Sequence, residues 1–168
     1  MLVDSLIVPE CVYRPGSFSG LMTVYESNFI KLSRLFADLD ALSAESSRIS
    51  HSSQDLDLHA EVQLREPYTT TLRLTYWFEE GFEEGPTEGF GEAFDAGSAE
   101  PVPDPDLIIR VYHDARLVEA VAGREDHQHA KLREIALRHS LELGRRWRNN
   151  IMLNKWLDYL LDMGHAFP

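Results

Sequence analysis

Residues 108–121 read IIRVYHDARLVEAV, with two apolar stretches on either side of the polar run Tyr112-His113-Asp114. The first stretch belongs to a predicted strand over residues 107–113. The second belongs to a predicted strand over residues 116–122, and the two are linked tightly around Asp114-Ala115. Asp favours such a turn because its side chain bonds to the nearby backbone. The segment therefore predicts an antiparallel hairpin.

A second hairpin is predicted upstream of the first. Apolar and polar residues alternate over residues 56–64, and again over residues 69–78, which are rich in Thr and aromatic residues. A period of two is typical of a strand with one buried face. Glu66-Pro67-Tyr68 marks the turn between them.

Segments whose apolar residues recur with a helical period lie before and after the predicted strands. Apolar residues at three- and four-residue steps predict a helix that runs to Leu39, with Ser17 or Ser19 as its cap and Asn28 as the polar interruption of its stripe. The same period returns over residues 128–143 and 151–161, separated by Gly144 and a basic cluster. Gly164 stands where a C-cap glycine is expected. The serine-rich residues 43–53 predict a linker.

The predicted fold is α+β, an antiparallel sheet of about four strands with the N-terminal and C-terminal helices packed on one face in two layers. A chain of 168 residues fits one domain, residues 1–168. Residues 1–17 hold two prolines and a glycine and predict an extended arm.

The net charge of −12 is concentrated in one segment. Residues 79–106 carry ten acids and no Lys or Arg, and outside them 18 acids face 16 basic residues. This glycine- and proline-rich segment predicts a flexible acidic insert. The near-neutral remainder disfavours general nucleic-acid binding, which needs clustered positive charge.

Composition also indicates the compartment. No apolar run reaches the roughly 20 residues that span a bilayer, so we expect no membrane association. The N-terminal residues lack the basic start and small-residue cleavage site of a signal peptide. Cys11 is the only cysteine and excludes an intrachain disulfide. We expect a cytoplasmic protein that is a monomer or a homodimer.

The weak catalytic candidates are His113, Tyr112 and Asp114. Alternation along the strand places Tyr112 and Asp114 on one face with Arg110, and His113 on the other. One interpretation is a proton-transfer site. The favoured one is structural: His113 donates to a backbone carbonyl and Asp114 shapes the turn.

Two further groups are candidates. Arg145, Arg146 and Arg148, with Trp147 among them and Lys155 further on, form a basic cluster. It could hold a phosphate, stack on a base, pair with the acidic segment or be a solvated face. His127 and His129, beside Asp126, have a metal-ligand spacing, but solvated polar residues are the favoured interpretation.

No nucleophile, metal set or phosphate-binding loop is recognisable. We therefore predict no metal and no cofactor, and lean against an enzyme.

The chain resembles the YqiB-like family of uncharacterised proteobacterial proteins (domain of unknown function family 1249). The resemblance rests on residues 21–29, on Tyr68-Thr69-Thr70, on residues 110–115 with 119–121, and on a C-terminal block from Asn150 to Gly164. Gly144-Arg145-Arg146 replaces an Asp-Glu-Lys tripeptide of the family, and the acidic insert is longer. The resemblance implies a cytoplasmic bacterial protein with no established activity.

Function is predicted only coarsely. We expect a domain that binds a protein partner or a small ligand through Tyr112, His113 and Asp114, with Arg110, Arg145, Arg146 and Arg148 as binding residues. The alternative is a small hydrolase or phosphoesterase that acts on a nucleotide-like phosphate, with His113 as general base and the arginines holding charge.

Overall fold

A computed structural model describes residues 16–78, 101–123 and 142–168. The described helices are α1 (Phe18–Leu35) and α2 (Glu142–Asp162), and a short 3-10 helix spans Leu39–Ala41. The strands are β1 (Ser47–Ser50), β2 (Leu58–Arg65), β3 (Thr69–Phe78), β4 (Val102–Tyr112) and β5 (Leu117–Gly123). No helix among the described residues is long and apolar enough to cross a membrane.

The strands form one antiparallel sheet in the order β1-β2-β3-β4-β5. The α+β prediction is confirmed, but the expected count of four strands is wrong, because β1 lies inside the predicted linker 43–53. Ile49 is the only large apolar residue of β1, and it is exposed. Backbone pairing with β2 forms this strand, so it carries no alternating pattern that a reader of the sequence can recognise.

The hydrophobic core contains residues of the sheet and of both helices. Cross-strand partners such as Val62 and Leu72, or Leu72 and Ile109, are buried together. Leu32 and Leu35 of α1 and Leu153, Leu157 and Leu160 of α2 belong to the same cluster. Burial of these side chains stabilises the fold by roughly 1.5–3 kcal/mol for each large one.

α1 begins where predicted. Ser17 caps it by accepting a 3.2 Å hydrogen bond from the backbone N–H of Gly20. The helix ends at Leu35 rather than Leu39, because the backbone becomes extended at Phe36 and pairs in parallel with Phe167. Gly164 has φ +79°, the left-handed conformation expected of a C-cap glycine.

Two other boundaries differ from the predictions. Gly144 and the basic cluster do not interrupt a helix, since α2 runs through them; a single glycine costs a helix only about 1 kcal/mol. β4 begins at Val102, inside the predicted acidic insert. Residues 79–100 of that insert, the predicted helix up to residue 141 and most of the N-terminal arm lie outside the described residues.

Candidate functional site

The predicted Tyr112-His113-Asp114 site lies at one end of the sheet, where β4 turns into β5. Tyr112 is the last residue of β4 and pairs with Leu117. Asp114 accepts a 2.9 Å hydrogen bond from the backbone N–H of Ala115, so its carboxylate shapes the turn. Arg116 completes the turn with φ +54°.

His113 lies in a polar cluster built from four parts of the chain. Its Nδ1 is 2.8 Å from Oδ1 of Asp40 in the 3-10 helix. Its Nε2 is 2.7 Å from Oγ1 of Thr70 at the start of β3, and it also contacts Nη1 of Arg65 at the end of β2. The expected bond from His113 to a backbone carbonyl is therefore replaced by contacts with side chains.

Arg65 determines which nitrogen of the His113 ring carries the proton. A guanidinium only donates hydrogen bonds, so Nε2 of His113 accepts and the ring proton lies on Nδ1, where it is donated to Asp40. Arg65 also donates to Oγ1 of Thr70 and, over 2.9 Å, to the carbonyl of Asp40. Asp40 is on the surface, with 82% of its side chain exposed, whereas Thr70 is fully buried.

A second cluster forms around the carboxylate of Glu119 in β5. Tyr112 donates to its Oε1 over 2.6 Å, and Tyr25 of α1 donates to its Oε2 over 3.0 Å. Burial, followed by the charge of Glu119 and the hydrogen bond to it, raises the pKa of Tyr25 to about 12. Burial and Glu119 also raise the pKa of Tyr112. Both tyrosines are therefore neutral donors near pH 7.

Two predicted arginines converge on this cluster. Nη1 of Arg146 lies 3.5 Å from Oε2 of Glu119, and about half of the Arg146 side chain is exposed (51%). Arg110 stands directly opposite Glu119 in the β4–β5 register, and its hydrogen bond and charge oppose the rise in the pKa of Tyr112. The structure therefore brings Arg110, Tyr112 and Arg146 together.

Other predicted residues lie apart from this cluster. The contacts of His113 are separate from those of Tyr112, as strand alternation predicted. Arg145 and Arg148 lie near the start of α2, Arg145 exposed and Arg148 partly exposed. The indole of Trp147 donates a 2.8 Å hydrogen bond to the carbonyl of Ser17 and packs against Gly20, so it belongs to the contact between the helices. His127 and His129 lie outside the described residues.

A third polar cluster anchors the end of the chain. Tyr76 donates to Asp55 over 2.6 Å, and Asp55 lies 3.4 Å from Nε2 of His165. Oγ of Ser50 lies 3.1 Å from Nδ1 of His165 and accepts a hydrogen bond from the backbone N–H of Ala166. Ser50 and His165 are buried, so this Ser-His-Asp set secures the last residues of the chain rather than facing a substrate.

The site contains residues that the sequence did not single out, namely Tyr25, Asp40, Arg65, Thr70 and Glu119. Tyr25, Thr70 and Glu119 occur in the sequence blocks that carry the family resemblance, and Tyr25 also belongs to the apolar stripe of α1. No local signal distinguishes Asp40 or Arg65. Within the ranges 16–78, 101–123 and 142–168, no group of three or more His, Cys, Asp or Glu residues is placed to hold a metal ion.

A family model matches part of the chain. The model of a family described as "Protein of unknown function (DUF1249)" matches residues 92–166. The predicted resemblance to family 1249 is confirmed over this stretch, which contains β4, β5 and α2 and hence Tyr112, His113, Glu119 and Arg146. The name YqiB-like stays a prediction. No curated protein matches, and no solved structure matches.

Proposed function

We propose that this relative of an uncharacterised family is a binding domain, which recognises a small ligand or a protein partner at the hairpin end of its sheet. The observation that supports the proposal is that Tyr112 and Arg146 both contact the carboxylate of Glu119, while Arg110 stands opposite Glu119 on the neighbouring strand. Charged side chains that share a buried, hydrogen-bonded neighbour are held in position, and fixed polar groups are what recognition requires.

The proposal has three further parts. The two helices form one layer over the buried face of the sheet, which the shared core supports. The protein is cytoplasmic, which agrees with its single cysteine. The protein acts as a monomer or a homodimer and needs no cofactor.

A thermal-shift screen of the full chain tests the proposal. Nucleotides, dicarboxylic acids and amino acids are added one at a time, and the melting temperature is measured. A ligand at 100 times its Kd stabilises the native state by about 2.7 kcal/mol. We expect at least one compound to raise the melting temperature of the wild type and to lose this effect in Arg110→Gln and Arg146→Gln.

Arg34→Gln is the matched control, because Arg34 is an exposed arginine in the last turn of α1. This variant should keep the response to the ligand. A ligand that stabilises wild type, Arg110→Gln and Arg146→Gln equally would place binding elsewhere on the protein. A screen in which no compound shifts the melting temperature would contradict the small-ligand form of the proposal.

A hydrolase is the second candidate, and the His113 cluster favours it. Thr70, His113 and Asp40 have the hydroxyl–imidazole–carboxylate order of a nucleophile, its base and the residue that orients the base. The burial of Thr70 counts against it as the nucleophile, so the hydrolase proposal relies on His113 as general base for water. This role requires a water molecule to replace Arg65 at Nε2 of His113.

Release of inorganic phosphate from nucleotides by the full chain tests this second candidate. Turnover that falls at least about 100-fold in His113→Asn, and not in His59→Asn, would support a general-base role. His59 is a half-exposed histidine of β2 and serves as the control. Equal turnover in wild type and His113→Asn would exclude His113 as the base.

A further inference from the structure

We infer that the sheet carries a second binding surface, at the end opposite the hairpin end, which docks a basic and apolar segment of a protein partner. The surface, which we call the aromatic patch, consists of Leu56, Tyr76, Phe78, Trp156 and Tyr159. Strand β3 separates the two ends, since its first residue pairs with Tyr112 and its last, Phe78, pairs with Val102. The ten residues of β3 span about 30 Å, so the patch is remote from Tyr112.

The buried ring of Tyr76 is the centre of the aromatic patch. The ring of Phe78 meets it edge to face, with centroids 6.4 Å apart, and the indole of Trp156 does so from α2 at 5.6 Å. Edge-to-face contacts of this kind add about 0.5–1.5 kcal/mol to the effect of burial. Strand β3 and helix α2 therefore hold three aromatic rings in contact.

Asp55 connects the remaining members of the patch to this centre. Its carboxylate accepts a 2.6 Å hydrogen bond from the Tyr76 hydroxyl and a 2.8 Å hydrogen bond from the backbone N–H of Leu56. Tyr159 lies beside the same carboxylate, because burial, then the charge of Asp55 and the hydrogen bond to it, raises the pKa of Tyr159. Leu56 and Tyr159 are thus placed next to Tyr76 by one shared partner.

Three members of the aromatic patch are open to solvent. Leu56 is 45% exposed, Phe78 is 43% exposed and Tyr159 is 41% exposed. Single apolar side chains on a surface are ordinary, but connected ones mark sites of interaction with other molecules. Tyr76 is buried and Trp156 is half-buried, so the exposed side chains adjoin a fixed base and lose little conformational freedom on binding.

Negative charge is concentrated in the sequence next to the aromatic patch. Phe78 and Val102 are cross-strand partners, and residues 79–101 connect them with eight acids and no Lys or Arg. Glu79 directly follows Phe78, and consecutive Cα atoms are about 3.8 Å apart, so chain connectivity alone keeps acidic residues near the patch. A basic partner is therefore favoured, because complementary charge promotes encounter and like charge opposes it.

The described residues around the patch add more negative than positive charge. Burial alone would raise the pKa of Asp55, but its hydrogen bonds, chiefly with Tyr76, hold that pKa below its ordinary value, so the group is an anion near pH 7. The side chain of Asp57 is 51% exposed. Lys155, which precedes Trp156, is a single positive charge against these carboxylates. A second copy of this chain, whose net charge is −12, or an anionic membrane would be repelled here.

Lysine and arginine combine the two properties that the aromatic patch favours. Their charged groups are attracted to the faces of aromatic rings, and their hydrocarbon stems pack on apolar surface. An aliphatic residue beside them would contact Leu56 and Phe78. A segment that alternates basic and aliphatic side chains therefore fits the patch better than an acidic or a purely polar segment.

Fluorescence anisotropy of a labelled peptide that alternates leucine and lysine, titrated with the full chain, tests the inference. Two control peptides separate the contributions: serine replaces leucine in one, and glutamate replaces lysine in the other. We expect the leucine–lysine peptide to bind at least about tenfold more tightly than either control, a difference of about 1.4 kcal/mol.

Variants of the exposed members locate the binding. Phe78→Ser, Tyr159→Ser and Leu56→Ser should each weaken binding of the leucine–lysine peptide by about tenfold, because a few central contacts dominate the energy of an interface. Leu56→Ser leaves the ring contacts of Tyr76 intact, so its effect reports on the surface rather than the core. Tyr68→Ser, at a position that is 68% exposed at the hairpin end, is the matched control and should bind like the wild type. Circular dichroism checks that each variant is folded.

Three results would overturn the inference. The leucine–lysine peptide fails to bind the wild type, it binds the patch variants as tightly as the wild type, or the leucine–glutamate peptide binds as tightly as it does. Sedimentation velocity tests another occupant: a wild-type dimer that becomes a monomer in Phe78→Ser would assign the patch to a second copy instead. None of these measurements involves Arg110 or Arg146, so the binding proposed at the hairpin end stands or fails separately.

Discussion

At the scale of single residues, the side chains of the site are positioned by the neighbours that they contact. Glu119 accepts hydrogen bonds from the hydroxyl groups of Tyr25 and Tyr112, and His113 contacts Asp40 and Arg65. In both clusters one buried or half-buried group fixes the orientation of its neighbours. The chemistry of the hairpin end therefore depends on side chains that the turn itself does not contain.

The pKa of Tyr25 predicts how stability depends on pH. Its pKa is 10.0 in the unfolded chain and about 12 in the folded protein, chiefly because of burial. The folded state therefore holds the proton more tightly, and the resulting stabilisation, about 2–3 kcal/mol, is complete below pH 10 and is lost as pH rises through about 12.

Urea unfolding of wild type and Tyr25→Phe between pH 8 and 11.5 measures this effect. The free energy of unfolding of the wild type should exceed that of the variant by a smaller amount as pH rises above 10. Tyr68→Phe, the same change at an exposed position, is the control. A difference in the free energy of unfolding that stays constant across this pH range would show that the ionisation of Tyr25 is not linked to folding.

At the scale of elements, the helices cover the outer edge of β5. Asn28 of α1 donates over 3.3 Å to the carbonyl of Val118, and Asn150 of α2 accepts over 2.8 Å from the N–H of Ala120. Two side-chain amides thus take the place of a neighbouring strand. An uncovered strand edge invites pairing with another chain, and these asparagines prevent it.

Removal of the Asn150 amide should therefore lower the stability of the protein. Asn150→Ala leaves the buried N–H of Ala120 without its partner, and we expect a loss of about 1–3 kcal/mol in the free energy of unfolding. Asn149→Ala makes the same change at the preceding, partly exposed position and should alter stability by less than about 0.5 kcal/mol. Equal losses in the two variants would show that the edge contact contributes nothing.

At the scale of the whole molecule, the end of the chain closes the core. Phe167 pairs in parallel with Phe36, and their rings stack with centroids 4.4 Å apart. The N–H of Phe167 donates to the carbonyl of Leu35 over 2.7 Å, and its carbonyl accepts from Ala37 over 3.1 Å. The last residues thus join the C-terminal end of α1 to α2.

Phe167→Ala should lower the free energy of unfolding by about 3–5 kcal/mol, because it removes a buried aromatic ring and leaves a cavity. Phe18→Ala is the matched control, since 68% of the Phe18 side chain is exposed. Denaturant unfolding of both variants measures the difference. A small effect at Phe167 would mean that the core is stable without the chain end.

The sequence alone determined those elements in which a local pattern reflects burial. The apolar stripe of α1, the alternation in β2 and β3 and the glycine at position 164 each predicted the element found there, because burial and a left-handed φ leave a periodic or local signal. The separation of His113 from Tyr112 followed from strand alternation in the same way.

Only the tertiary structure decided which side chains form each cluster. Asp40 and His113 are 73 residues apart, and Tyr25 and Glu119 are 94 residues apart. β1 likewise exists because β2 offers it a backbone edge, not because of its four side chains. Contacts between distant residues arise from how helices and strands pack against one another, and no local pattern in the sequence records that packing.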